Sequence, residues 1–239
     1  MVTNISLNDI AYDILEMYRD KIKDTDEIDI RQIKFWIQEV RALLLKRKFD
    51  KPMSTIDEAY VQDLGAIKIE HIDSSAKSNI YSKKYEARTN IAIPITIERS
   101  GHSGTFTRIG AADRLISSFN VVSYERALVS GNGKFNTKDI FAYPKDDRIY
   151  FISKNPDSYI GLMYVNIRGV FVNPQAVFDI INPNHTDNDK DYPVNVTLVD
   201  EIKNFILTRD FKLTFARPAD EILNERNEII TNANDRKAR

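Results

Sequence analysis

The stretch that decides the fold runs from residue 7 to residue 49 and reads LNDIAYDILEMYRDKIKDTDEIDIRQIKFWIQEVRALLLKRKF. In each half, apolar residues recur at steps of three and four, which places them along one face of an α-helix. The stripe of the first half comprises Leu7, Ile10, Ala11, Ile14, Tyr18 and Ile22. That of the second half comprises Ile30, Ile33, Trp36, Ile37, Val40, Leu43 and Leu44. The stretch therefore predicts two amphipathic helices.

Polar residues mark the boundaries of both helices. Ser6 and Asp9 form a capping-box pattern at the start of the first helix, and Asp29 is placed to cap the second. The second helix should end shortly before Pro52, because the residue before a proline is disfavoured in the helical region. Residues 23–27 are polar and too few to be more than a connection, so we expect the helices to be antiparallel neighbours.

The second helix carries cations away from its apolar stripe. Lys34, Arg41 and Lys48, together with Gln38, are predicted to lie on the opposite, exposed face. Residues 46–48, Lys-Arg-Lys, fall in the last turn, where cations complement the helix dipole. A contact with a phosphate or a partner protein is the alternative interpretation of that triplet.

From about residue 56 the apolar residues alternate with polar ones, which predicts half-buried strands. Pro94 cannot donate to a ladder, so its strand should lie at a sheet edge or carry a bulge. Residues 118–130 are compatible with a strand or with one helical turn. The clearest hairpin is predicted around a turn at residues 144–147. The predicted strands cover residues 66–72, 90–97, 105–109, 140–143, 148–152 and 160–172.

These strands predict a mainly antiparallel sheet or small sandwich between about Pro52 and Asn182, followed by a polar linker to Asp191. A helical period then returns, with Thr197 as the predicted cap, and is expected to continue toward Arg217. Its apolar stripe comprises Leu198, Ile202, Phe205 and Ile206.

The third helix can cover the apolar surface that the first two leave open, so a small bundle is expected. The predicted fold class is α+β, with terminal helices around an inserted antiparallel β domain. We divide the chain into a helical hairpin (1–51), a β domain with linker (52–191), a closing helix (192–226) and a polar tail (227–239).

Composition narrows the possible functions. The chain has 239 residues, no cysteine, and 34 lysines and arginines against 35 acidic residues, for a formal net charge of -1. Disulfides, a thiolate nucleophile and cysteine-ligated zinc are therefore excluded, and no general attraction for nucleic acid or anionic lipid is expected. No run of residues is long and apolar enough to predict a membrane span or a leader.

No motif predicts a cofactor, a metal or a catalytic residue. His71, His102 and His185 are far apart and lack ligand spacing. Residues 131–134 lack the first glycine and the hydroxyl residue of a phosphate loop, so they are interpreted as a turn. The oxygen-rich residues 187–191 lack the glycine and glutamate of a calcium loop. An active site assembled from residues remote in sequence stays open as an alternative.

Cations also accumulate toward the C-terminus. Without interleaved aromatic residues they do not predict a base-stacking surface. They are compatible with a solubilising tail or with an arm that orders on a partner. These cations are Arg209, Arg217, Arg236, Lys237 and Arg239.

Both ends of the chain resemble a known family. Residues 10–15, 30–37 and 41–45 are similar to the opening of head-to-tail ring or adaptor (connector) proteins from crAss-like, short-tailed phages. Residues 192–194, 198–207 and 217–221, with Asn227, are similar to the closing helix and polar tail of those proteins. The resemblance brackets the whole chain and rests on hydrophobic patterns.

The resemblance implies a non-enzymatic virion protein at the head–tail junction, assembled in the host cytoplasm without a cofactor. Twelve copies would form a ring below the portal, around a DNA ejection channel without sequence-specific contacts. Residues 227–239 would be the docking arm. A hydrolase or carbohydrate-binding module with a site in the β domain is the alternative. The candidate subunit or portal contacts are Lys34, Arg41, Lys48, Arg209, Arg217, Arg236, Lys237 and Arg239.

Overall fold

A computed structural model describes the chain over residues 5–19, 28–51, 54–72, 85–99, 104–113, 118–131, 138–155, 161–183 and 191–210. Helices lie at both ends of this range and strands lie between them. The helices are α1 (Leu7–Arg19), α2 (Ile30–Phe49), α3 (Tyr124–Val129), α4 (Pro174–Ile181) and α5 (Val196–Phe205), the last continuing as a π-helical turn (Ile206–Asp210). The strands are β1 (Gln62–Ile72), β2 (Tyr85–Thr89), β3 (Phe106–Ala111), β4 (Asn120–Val121), β5 (Phe141–Lys145), β6 (Arg148–Ser153) and β7 (Tyr164–Gly169).

The predicted start signals of the first two helices are confirmed. The Asp9 N–H donates to Ser6 Oγ (3.1 Å) and the Ser6 N–H donates to Asp9 Oδ2 (3.0 Å), which completes a capping box. The Arg31 N–H donates to Asp29 Oδ1 (2.9 Å) at the start of α2. The predicted stripe of α1 is buried as far as it is described, and Ile22 lies outside the described residues. In the described range, no helix is long and apolar enough to cross a membrane.

The buried face of α2 differs from the predicted stripe. Ile33, Ile37 and Val40 are buried as expected, whereas Leu43 is only half-buried. Arg41 is fully buried, so its predicted place on the exposed face is wrong. The reason is that α2 packs against α1 and α5 on one side and against residues 170–171 and 192–193 on another, which widens its buried arc.

The third helix closes the bundle, which confirms the predicted fold class. Asn195 caps α5 by accepting from the Leu198 N–H (2.9 Å), so the predicted cap at Thr197 is wrong. Ile202 and Ile206 are completely buried in one apolar core with residues of α1 and α2. The predicted continuation toward Arg217 lies outside the described residues.

The seven strands of the described residues form one sheet in the order β3-β7-β1-β2-β6-β5-β4. All neighbours are antiparallel except β4 and β5, which are parallel, so the mainly antiparallel sheet is confirmed. The sheet curls until its edges meet: the Phe119 N–H donates to Ile109 O (2.6 Å) and Gly110 forms a bridge with Ser118. The result is a nearly closed barrel. Its interior is apolar and includes Leu64, Ile67, Ile69, Ala87, Ile109, Ala142, Phe151, Val165 and Ile167.

The predicted β5–β6 hairpin is confirmed, with Asp146 and Asp147 both at positive φ (50° and 57°) in its turn. The predicted strand at residues 90–97 is wrong. Among the described residues, that segment forms an isolated bridge between Thr96 and Phe171 and single backbone hydrogen bonds instead of a continuous ladder, and Pro94 has no N–H to donate to one. Residues 118–130, for which the sequence allowed a strand or a helical turn, contain both: strand β4 and helix α3. Strand β2 and helix α4 were not predicted.

A bulge in β1 depends on one glycine. Gly65 has φ +72° where the pairing with β7 shifts register, and its N–H donates to Asp63 Oδ1 (2.8 Å). Although no atom lies within 4 Å of an added Cβ, we expect Gly65→Ala to lower the free energy of unfolding by about 1–2 kcal/mol through backbone strain alone. Chemical denaturation measures this. Gly161→Ala is the matched control, because that site is equally open and lacks positive φ. Equal stability of the two variants would contradict the prediction.

Candidate assembly surface

Arg41 joins the bundle to the barrel. Its Nη1 donates to the Phe171 carbonyl (2.8 Å), in the segment that follows β7. Its Nε donates to the Pro193 carbonyl (3.1 Å), in the segment that precedes α5. The guanidinium also lies 5.6 Å from the centroid of the Tyr192 ring. One side chain of α2 therefore holds together two segments that are remote from it in sequence.

The charge of Arg41 is compensated by carbonyl dipoles and an aromatic face. Among the described residues, no carboxylate forms an ion pair with Arg41, and Nη2 has no hydrogen-bond partner. Burial lowers the pKa of Arg41, an effect that the nearby Tyr192 and Tyr60 oppose. An arginine nevertheless keeps its proton in a protein, so both carbonyls receive charge-assisted hydrogen bonds. We conclude that Arg41 has an internal structural role and is not available to a partner.

Tyr192 provides a test of this arrangement. Burial raises its pKa to about 12, and its hydroxyl has no hydrogen-bond partner in the described part of the chain. We expect Tyr192→Phe, which keeps the ring beside Arg41, to leave stability at pH 8 unchanged or to raise it by about 1 kcal/mol. Urea unfolding measures this. A loss above about 1 kcal/mol would show that the hydroxyl makes a necessary contact.

The same tyrosine predicts an alkaline loss of stability. Because its folded pKa lies above its ordinary value of 10, its contribution is fully present below pH 10 and is lost as the pH rises toward 12. We expect a decline of at most about 1.4 kcal/mol per pH unit from this group. Tyr192→Phe should make the loss of stability with rising pH less steep. Part of the pH dependence should persist in this variant, because burial also raises the pKa of Tyr143. An unchanged slope in Tyr192→Phe would contradict the assignment.

The cations at the C-terminal end of α2 form what we call the basic cluster: Arg47, Lys48 and Arg209. Lys48 Nζ donates to the Tyr60 hydroxyl (3.0 Å) and lies 4.8 Å from the centroid of that ring. The guanidiniums of Arg47 and Arg209 lie 5.8 and 5.3 Å from the centroid of the Phe205 ring. All three cations are exposed. The end of α5 therefore places Arg209 beside the last turn of α2.

The other predicted contact residues are not brought to this cluster. Lys34 is half-buried and lies roughly 20 Å from Lys48 along the axis of α2. Lys46, next to the cluster, forms an ion pair with Glu98 (2.9 Å) and is partly neutralised. The remaining four predicted cations lie outside the described residues: Arg217, Arg236, Lys237 and Arg239.

Exposed apolar residues form a second class of surface that sequence reasoning missed. They occur on α3, at the start of β7, and where Ile95 lies beside Val172 at the base of the barrel. Large exposed apolar side chains in neighbouring positions mark interaction surfaces more often than isolated ones do. The first two groups comprise Tyr124, Leu128, Val129, Met163 and Tyr164.

A cavity of about 650 Å³ opens at the end of the barrel away from the bundle. Phe119, Ile140 and Leu162 form its apolar lining, and the carboxylates Asp113 and Asp139 form part of its polar lining. These two carboxylates are the candidate residues for the alternative of a hydrolase. In the described ranges, no group of three or more histidines or carboxylates could hold a metal ion. His71 lies on β1, while His102 and His185 are outside the described residues.

A protein family described as phage tail ring protein 2 matches residues 9–235 of the chain. The chain belongs to this family. It is a family of crAss-like phage ring proteins, which confirms the resemblance carried by the two ends of the sequence. As a tail ring protein the chain is a structural component of the virion, and its family implies self-assembly into a ring. Comparison with curated proteins gave no match.

Family membership gives the exposed residues of this ring protein a context. A subunit that assembles into a ring must present surfaces to its neighbours, and the basic cluster and the exposed apolar residues are available for this. The signal for the apolar residues was present in the sequence of α3, where Tyr124 and Leu128 are one turn apart. Only the fold shows that Ala127 and the Tyr124 ring pack on the barrel, which leaves Leu128 and Val129 exposed.

Proposed function

We propose that this ring protein is a head-to-tail connector subunit, which lies below the portal and forms part of the DNA ejection channel. The family match carries the proposal, because it extends over the helical ends and the sheet together. The resemblance to short-tailed phage adaptors supports a ring of twelve copies at the head–tail junction. Assembly in the host cytoplasm fits a chain without cysteine.

The charges support a channel without sequence-specific DNA contacts. A formal net charge of -1 gives the subunit little general attraction for DNA, so any contact is local. The basic cluster is one such local positive region, and contacts of cations with phosphates carry no sequence information. We expect weak binding to double-stranded DNA that decreases as salt rises and is equal for unrelated sequences.

We assign portal binding to the basic cluster, to Lys34 and to the C-terminal cations. Lys48 and Arg209 are exposed, and the packing of α5 on α2 places Arg209 at the Phe205 ring together with Arg47, the residue that precedes Lys48. Residues 227–239 are the proposed docking arm, with Arg236, Lys237 and Arg239 as its charged contacts. Arg41 is not part of this surface, because it is buried.

The proposal is tested by mixing the purified protein with the portal of the same phage and imaging the product in negative stain. We expect rings stacked on the portal. The double variant Lys48→Glu/Arg209→Glu is expected to bind the portal at least about tenfold more weakly, a loss of about 1.4 kcal/mol.

Arg31→Glu is the matched control, since it reverses an exposed cation at the opposite end of α2. A thermal melt of each variant excludes unfolding as the cause. A wild-type protein that forms neither rings nor a portal complex would refute the connector function. Unchanged portal binding by the double variant would refute only the role of the cluster.

A further inference from the structure

Helix α3 is a short helix whose exposed side chains include large apolar ones. Its inner side is held on the barrel by Ala127, which is buried against residues of β5 and β6. Tyr124 lies on the same side, with its ring 5.6 Å from that of Tyr143, whereas Leu128 and Val129 point outward and are 54% and 65% exposed. More than half of the Leu128 and Val129 side chains is therefore in contact with water in the monomer. This surface is suited to being covered by a protein partner.

The start of β7 carries a second exposed apolar surface. Met163 and Tyr164 are 65% and 49% exposed. Tyr164 pairs in register with Lys68 of β1, and both side chains point away from the barrel, because the following Val165 and the preceding Ile67 are buried inside it. The outer surface at this point therefore presents an aromatic ring beside a cation.

These two surfaces lie on opposite flanks of the barrel. Helix α3 packs on the outside of β5, the second strand from one edge of the sheet. Strands β7 and β1 are the second and third strands from the other edge. Because the two edges meet between residues 109–110 and 118–119, the curled sheet places β5 across the barrel from β7 and β1. The apolar surfaces therefore face in opposite directions.

A closed ring of identical subunits needs a pair of different surfaces on opposite sides of each subunit. Head-to-tail contacts join two different surfaces on opposite sides of each subunit, whereas a single self-complementary surface stops at a dimer. We propose that α3 of one copy packs against the start of β7 of the next copy, and that this contact closes the ring. The inference rests on the proposed assembly of the chain as a ring.

The test uses the full chain and two variants, Leu128→Asp and Tyr164→Asp, each of which introduces a carboxylate into one surface. Each variant alone is expected to bind its own copies at least about 30-fold more weakly than the wild type and to run as a monomer. Each still carries one intact surface, and the two intact surfaces are complementary. Mixing the variants should therefore give a dimer of one copy of each, which cannot extend. Mass photometry and light scattering distinguish monomer, dimer and ring.

Phe35→Asp is the matched control, because Phe35 is an equally exposed apolar residue on α2. It should still form rings, and all three variants should melt like the wild type. If either Leu128→Asp or Tyr164→Asp still formed rings, the proposed contact would be refuted, but the assembly of the chain as a ring would not. A mixture of the two variants that formed no dimers would also refute the contact. A wild-type protein that stays monomeric both alone and with the portal would refute the ring function itself, and this contact with it.

Discussion

Replacing Arg41 by glutamate is expected to prevent the chain from folding to its native state. The carbonyl oxygens of Phe171 and Pro193 both accept from Arg41 in the buried region between the bundle and the barrel. A glutamate at position 41 would remove the donor to both carbonyls and would add two carboxylate oxygens, which are also acceptors. Each unsatisfied buried acceptor costs about 1–3 kcal/mol, and a buried carboxylate costs more. The sum is comparable with the whole stability of a typical domain, about 5–15 kcal/mol.

Two milder variants separate charge from hydrogen bonding. Arg41→Met removes the cost of burying a charge but leaves two carbonyls unpaired, so we expect a net loss of about 2–4 kcal/mol. Arg41→Lys keeps the charge, but its single ammonium group cannot reach both carbonyls as the forked guanidinium does. We expect it to lose less stability than Arg41→Met. Urea unfolding followed by fluorescence measures all three, since Trp36 of α2 is the only tryptophan.

Arg47→Glu is the matched control for this series, because it reverses a cation on the same helix that is exposed. We expect it to lose no more than about 1 kcal/mol, the value of its contact with the Phe205 ring. If Arg41→Glu unfolded at the same urea concentration as the wild type, the carbonyl contacts would not be stabilising the fold.

The spacing of the residues in α2 indicates that Arg41 lies on the buried face, but the sequence does not show what would compensate its buried charge. Ile33, Ile37, Arg41, Leu45 and Phe49 recur at steps of four, and all five are buried. A sequence reading assigns an arginine to solvent because burying its charge is costly. What reverses that assignment is a pair of carbonyls about 130 and 152 positions away in the chain, and their position is a property of the tertiary fold.

Local signals predicted local structure well. The caps at Ser6 and Asp29 act within three residues, so the starts of α1 and α2 could be predicted without the rest of the chain. Helix α4 also carried a local signal, Asn173 as its cap and Pro174 in its first turn. It was missed because it is short and directly follows a long β-like run. Strand β2 was missed because Ala87 and Thr89, which face inward, are too small and too polar to produce a clear alternation.

Contacts between elements could not be predicted in the same way. The cations of the basic cluster were each identified from the sequence, but the Phe205 ring that lies beside both Arg47 and Arg209 depends on how α5 packs against α2. The parallel pairing of β4 with β5, and the meeting of β3 with residues 118–119, likewise depend on the curl of the whole sheet. These long-range contacts are what place the two exposed apolar surfaces on opposite flanks.

The closing helix is expected to contribute a large part of the stability of the bundle. Ile202 is completely buried and belongs to the same core as Ile10, Ile14 and Ile37, so truncation leaves a cavity that rigid neighbours can fill only in part. We expect Ile202→Ala to lower the free energy of unfolding by about 2–5 kcal/mol. Chemical denaturation followed by circular dichroism and by Trp36 fluorescence measures the loss.

Glu201→Ala is the matched control, because Glu201 is the preceding residue of α5 and is exposed, and it should change stability by no more than about 0.5 kcal/mol. The comparison decides whether α5 is necessary for the bundle. The α1–α2 hairpin alone leaves apolar surface open, so without α5 the residues that surround Arg41 would be in contact with water. If Ile202→Ala lowered the free energy of unfolding by less than about 1 kcal/mol, the hairpin would be stabilised mainly by the barrel. The Pro193 carbonyl would then be held near Arg41 without the contribution of α5, the helix that follows it.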